Sequence, residues 1–266
     1  MCPLFNLAIE PLACKVWNDL QISGIHIPGQ AARLTIKLFT DNTNLYLSNH
    51  DRFDHIQGIL DAWCKTSEAE FNIDKTEIIP IGTQEHRQCI AHTRKINKQD
   101  QTPLPEWIHI AKDGESIRML GAWISNHTNE DAPWETIIDK VNSNLKNWKC
   151  LHPTLNGRKL IIQAVVGGHT QFLTNAQGMP PHIETALKRI ISGFIWDDDS
   201  SSRITCDILC HTINEGGLDL LDIVTRNKAI DVMWLKRYLD FSPSYPTWAA
   251  IINIIIQELA SKCVLR

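Results

Sequence analysis

The chain has 266 residues, 43% of them apolar and 21% charged, enough for one large domain or two small ones with a sizeable core. Its formal net charge is −4; no run reaches the about 18 apolar residues of a membrane span, and the start, Met1-Cys2-Pro3-Leu4-Phe5-Asn6, lacks a basic n-region. These features speak against global disorder, a spanning helix and a secretory signal. They lead us to expect an intracellular protein, cytoplasmic or nuclear and not secreted.

In chain order, residues 4–22 place apolar side chains at Leu4, Leu7, Ala8, Leu12, Val16 and Leu20, close to a helical repeat. Gly24 and Pro28-Gly29 break that run. Leu34–Phe39 and Leu45–Leu47 then flank a polar turn carrying Asp41 and Asn42, the pattern of a β-hairpin with an acidic tip. Phe53, Ile56, Leu60 and Trp63 predict an amphipathic helix over 51–70. The run Ile78-Ile79-Pro80-Ile81 reads as a strand closed by Gly82, residues 85–115 as a polar, Pro-interrupted loop, and Ile117–Ile124 as a strand or tight hairpin.

The character changes near 128–133. Ala132-Pro133-Trp134 opens a helix to Cys150, Asn156-Gly157 marks a turn, and 157–176 and 182–196 read as further helices. Trp148 and Phe172 fall on the apolar faces and are expected in the core. A polar loop at 197–202, shorter helices at 205–213 and 222–240, and a core-forming Ile251–Ile256 run complete the chain. The fold class expected is α+β, with a nearly all-helical second half.

Charge is uneven. Residues 1–139 carry 12 basic and 19 acidic groups, a net −7. Residues 140–192 carry 7 basic groups (Lys140, Lys146, Lys149, Arg158, Lys159, Lys188, Arg189) and only Glu184, a net +6. Such asymmetry suits an element gripping a nucleic-acid duplex; an ordinary solvated helix face fits the same residues. The eight cysteines show no CxxC pair, so free buried thiols are expected. Cys206, Cys210 and His211 sit close together, but the second ligand pair of a zinc site is missing.

Asp41 at a rigid hairpin tip suits Mg²⁺, which favours oxygen donors; Asp and Asn are also ordinary turn residues. Seven segments, taken in order, bear on that choice. Pro3–Leu12, Phe39-Thr40-Asp41-Asn42, Asn72-Ile73-Asp74-Lys75-Thr76-Glu77 and Leu120-Gly121 resemble the helix after the template-grip motif, the metal hairpin, the palm lysine motif and the primer-grip hairpin of non-LTR retrotransposon (LINE-type) reverse transcriptases. Leu155-Asn156-Gly157-Arg158, Phe194-Ile195-Trp196 and Glu215-Gly216-Gly217-Leu218 resemble landmarks of the thumb and the segment after it. The resemblance spans roughly residues 3–240.

The resemblance implies a partial palm over 1–130 (a small antiparallel sheet with helices), a helical thumb over 131–200 and a helical post-thumb segment over 201–266. It implies RNA-directed DNA polymerase chemistry with Mg²⁺, an RNA template and DNA primer or RNA–DNA hybrid as partners, and no membrane. Asp41 would be the metal carboxylate and Lys75 would steady the pyrophosphate leaving group, although an exposed lysine before a strand fits too. Leu120 and Gly121 would position the primer, and the seven basic residues would track the duplex by phosphate contacts.

Two departures follow. Asn42 replaces the family's second hairpin Asp, and an amide does not compensate a cation's charge. The fingers, the first palm strand with its Asp and the Gln-Gly motif would lie before Met1, in a missing N-terminal half, and Glu10 and Asp19 fall on a helix instead. The expectation is a truncated, catalytically inactive fragment; a non-catalytic nucleic-acid-binding module or an inert relic is the alternative. Without a fingers half, Ile9, Val16 and the Leu34–Phe39 strand are expected to form an exposed apolar patch.

Overall fold

The computed structural model describes residues 3–28, 30, 32–127, 131–197, 204–242 and 245–264. The chain is mixed α/β, mostly helical, with small two-stranded sheets. It divides into two compact units, one of Met1–Leu120, Ser125–His127 and Phe241–Arg266, the other of Gly121–Ile124 and Thr128–Asp240. The post-thumb region expected over 201–266 is thus shared between the two.

In the first unit, α1 (Pro3–Asn18) buries Ile9, Leu12, Ala13 and Val16 at three- and four-residue spacing. They pack with Ile36 of β1 (Ile36–Phe39) and Ile56 and Ile59 of α2 (Phe53–Ser67). Each such Ile, Leu or Val side chain contributes about 1.5–3 kcal/mol by leaving water. Ile9 and Val16, expected on an exposed patch, are 4% and 1% exposed, because α2 and the hairpin cover that face of α1. The exposed apolar residues are instead Leu4, Leu7, Trp17 and Leu20 of the outer face and turn, with Phe39 on β1.

β1 pairs antiparallel with β2 (Asn42–Leu45), Phe39 opposite Asn42, so Thr40 and Asp41 alone form the turn. Thr40 has φ 53°, the left-handed conformation such a short connection requires. The strand expected over Ile78–Ile81 shrinks to β3 (Glu77–Ile78), because Pro80 has no N–H to donate. β3 pairs in parallel with β4 (His109–Ile110).

The loop expected over 85–115 is largely structured. Thr83 caps α3 (Gln84–Thr93), its Oγ1 accepting from His86 N at 3.3 Å. Arg94, at φ 52°, ends that helix, and its guanidinium donates to the carbonyls of Leu104, Pro105 and Ile108 at 2.6–3.1 Å. Ile90, Leu104 and Ile110 make a small core there. β5 (Ile117–Met119) and β6 (Ala122–Ile124) follow, joined by Leu120 and Gly121 at φ 50° and 88°, as a type I′ hairpin turn demands. Helix α10 (Thr247–Val264) carries the Ile251–Ile256 run. That run is not core: Ala249 and Ala250 are buried, while Ile251, Ile252, Ile255 and Ile256 are exposed.

The second unit is built of α4 (Ala132–Lys149), α5 (Leu155–Ile162), a π turn (Gln163–Gly167), α6 (Gly168–Gln177), α7 (Pro181–Trp196), the short α8 (Cys206–Cys210) and α9 (Ile223–Tyr238). Trp134, Val141, Ile162, Val166, Leu187 and Ile223 lie at the centre of its core. The helix expected over 157–176 runs on through the π turn, where the hydrogen-bond register slips by one residue. Gly216, at φ 82°, ends the 3₁₀ turn Ile213–Glu215. The acidic loop expected over 197–202 lies outside the described residues apart from Asp197.

Candidate functional site

Asp41 stands at the tip of the β1–β2 turn, with Asn42 the first residue of β2. The Thr40 hydroxyl donates to Asp41 Oδ1 at 2.8 Å, and the Asn42 amide donates to the same oxygen at 3.4 Å. The Thr40 hydroxyl above all, then Asp41's own backbone amide and the Lys75 ammonium, hold this carboxyl below its ordinary value against an opposing effect of burial. Lys75 closes the 3₁₀ turn Ile73–Lys75, its backbone N–H donating to Asn72 O and Oδ1, each at 3.2 Å. The Lys75 charge, 34 positions further along the chain, is the smallest of these influences on Asp41.

Gly121 does permit a close approach, but the observed partner is an aromatic ring. A Cβ there would lie 2.8 Å from Phe172 Cε1. Next to it, Trp123 N donates to Gln177 Oε1 at 3.0 Å and Gln177 Nε2 donates to Trp123 O at 2.6 Å, so one side-chain amide satisfies the edge of β6.

The seven basic residues separate into two groups. Arg158 is half-buried, and its guanidinium donates to the Phe194 and Ile195 carbonyls at 3.0 and 2.9 Å and to Pro153 O at 3.2 Å. It thereby caps the C-terminus of α7, where cations are favoured. Asp197 receives both Lys149 at 3.0 Å and Arg158 at 3.6 Å, and Lys149 first, with Arg158, holds its carboxyl below the usual range. Lys159 meets Asp219 at 3.4 Å. Lys140, Lys146, Lys188 and Arg189 are exposed and form no ion pair among the described residues. At 100° per residue Lys146 lies about 120° and Lys149 about 180° around α4 from Lys140, so these charges do not form one stripe.

Trp148 and Phe172, expected in the core, are 45% and 53% exposed. Trp148 does point along the inward face of α4, but it sits at the helix end beyond the packed layer. The expected burial of the cysteines also fails: Cys14 and Cys150 are exposed, and Cys64, Cys89, Cys206 and Cys210 are partly so, all unpaired. Burial first, then Asp222, pushes the Cys210 thiol up to about 11. The described residues hold no group of three or more His, Cys, Asp or Glu able to bind a metal.

Residues that sequence reasoning passed over do much of the positioning. Buried Asp51 accepts from the backbone of Ser23, from Gly24 N at 2.9 Å and from Ser48 N at 2.7 Å, tying the hairpin's exit to the loop after α1. Arg33 donates to the carbonyls of Trp17, Asp19 and Ile22 at the end of α1. Arg226 is half-buried, with its guanidinium on Thr170 Oγ1 at 2.8 Å and Asn227 Oδ1 at 3.1 Å, and burial lowers its pKa. No local spacing marks these residues, since each acts across a loop or between helices.

Two concavities lie elsewhere. A groove of about 580 Å³ runs between α1 and α2, walled by Leu12, Ile59 and Trp63, and one of about 350 Å³ is lined by Trp134, Met179 and Pro181. Asp41, Asn42 and Lys75 line neither. No protein-family model matches the chain.

Proposed function

We propose that this chain is the later palm and the thumb of a non-LTR retrotransposon reverse transcriptase, catalytically inactive as it stands, with a remaining capacity to bind nucleic acid. The observation that supports the reading is the two-residue hairpin turn that sets Asp41 at its tip with Asn42 opening β2. The motif resemblance places a metal-binding carboxylate at such a hairpin tip and a lysine at position 75.

The donor set argues against Mg²⁺ catalysis by these residues. Two-metal phosphoryl transfer needs carboxylates that clamp ions about 3.5–4 Å apart. The tip offers one carboxylate, whose Oδ1 already accepts from Thr40 and Asn42, and an amide that brings no charge. The residues of this chain therefore do not fit the family's metal pair. Lys75 retains only electrostatic steering of an anion past Asp41.

Primer extension on an RNA template with Mg²⁺ and deoxynucleotides tests the inactive half of the reading. The expected result is no extension above background; robust Mg²⁺-dependent extension by the purified 266-residue chain would overturn it.

A further inference from the structure

Helix α10 turns its largest aliphatic side chains outward. Ile251 and Ile252 are 41% and 36% exposed, Ile255 and Ile256 51% and 49%, and Leu259 57%. Half-buried Trp248 heads the same row. At 100° per residue these six side chains span about 140° of the helix. Trp248, Ile252, Ile255 and Leu259 follow the four-three-four spacing of a coiled-coil seam, and Ile251 and Ile256 flank it. The covered side is a different one: Ala249 and Ala250 are buried, and Asn253 Nδ2 donates to Tyr245 Oη at 3.0 Å. Small and polar residues on the covered side, with branched aliphatics on the bare one, invert the arrangement of a helix that packs only on its own chain.

We propose that this stripe is the contact between two copies of the chain, one α10 packed along another about a two-fold axis. Charge, spacing and area select that occupant. Over 247–261 the sequence holds no basic residue and one acid, Glu258. A nucleic acid would need cations there, and a helix lying on a lipid surface carries Lys or Arg along its polar face. Asn253, Gln257, Glu258 and Ser261 offer no cation to either. A seam with this spacing is self-complementary, because in a two-fold pair each apolar row meets the same row of the copy. The stripe presents about 450 Å² of contiguous apolar surface, a patch of the size that is often functional. Two copies remove about 900 Å² of it, and with a polar rim pass the roughly 1,000 Å² that a specific interface needs. So small an interface gives a reversible dimer. The contact is independent of any nucleic-acid binding by the chain.

The experiment is sedimentation velocity of the full chain across the micromolar range. The monomer of 30.2 kDa should give way to a species of twice that mass as concentration rises. Ile255→Glu, near the middle of the stripe, should raise the dimer dissociation constant by about ten-fold or more. Ile255→Leu should retain most of the affinity, and Gln257→Glu, off the stripe, should change nothing. Ile255 is half-exposed, so its replacement leaves the core intact, and circular dichroism checks that the helices remain. A monomer at every concentration, or a dimer that Ile255→Glu leaves unchanged, overturns the proposal. A monomer that binds phosphatidylcholine vesicles instead assigns the stripe to lipid and overturns it equally.

Discussion

Asp51 fastens the acidic hairpin from below. Its side chain is fully buried and serves three backbone N–H groups that have no strand or helix partner. Removing a buried acceptor leaves each donor unsatisfied. Asp51→Ala should lower stability by about 3 kcal/mol, read as a shifted denaturant midpoint at constant m-value; a loss under about 1 kcal/mol would show that water replaces the carboxylate. Gly121 is the second residue-scale constraint, with φ 88° and Phe172 in the space of a Cβ. Gly121→Ala should cost about 1–2 kcal/mol through backbone strain and ring displacement. If stability is unchanged, the turn rearranges without cost.

Helix ends carry the predictions at the scale of elements. Asp222 caps α9, its Oδ1 accepting from Val224 N at 2.9 Å and Thr225 N at 3.2 Å. Burial raises its pKa, but the Thr225 hydroxyl and these two amides outweigh that and hold it below the ordinary value. A carboxyl depressed in the folded state stabilises fully above its unfolded pKa of about 3.9, and the contribution is lost as pH falls through the folded value. Asp222→Ala should therefore cost about 1 kcal/mol near neutrality. The gap in melting temperature from the parent chain should close as pH drops through the acid range; a gap that stays constant would rule out the ionised cap. Arg158→Lys should loosen the end of α7 by about 1–2 kcal/mol, because an ammonium cannot reproduce a planar fork aimed at several carbonyls. Equal thermal stability of that variant would mean the carbonyls are satisfied without the guanidinium.

The same scale explains what could be read from the sequence. The long helices were legible because Ile137, Val141 and Leu145, or Ile183, Leu187 and Ile191, repeat their own period. Helix α3 was not, since only Ile90 is buried among its polar residues and an arginine outside it holds the following loop. The Ile251–Ile256 run misled because hydropathy states what a residue prefers, not whether a partner is present to cover it. Asp41 and Asn42 were legible as a turn from composition, and the structure places both at the β1–β2 connection.

For the whole molecule, an acidic first stretch and a basic second one make the net charge of −4 a poor guide to partners. Ion pairing reduces the apparent reserve of cations, since Lys149, Arg158 and Lys159 are engaged with Asp197 and Asp219. Lys140, Lys146, Lys188 and Arg189 remain, so phosphate binding should be modest and carried by about four contacts. The most direct measurement is the affinity of the purified chain for an RNA–DNA hybrid across a salt series. The account predicts that log affinity falls linearly with log salt concentration at a slope of about −3.6, and that replacing Lys140 and Lys146 by alanine flattens the slope by nearly two. A weak, salt-independent response would contradict it and leave the chain without a nucleic-acid function.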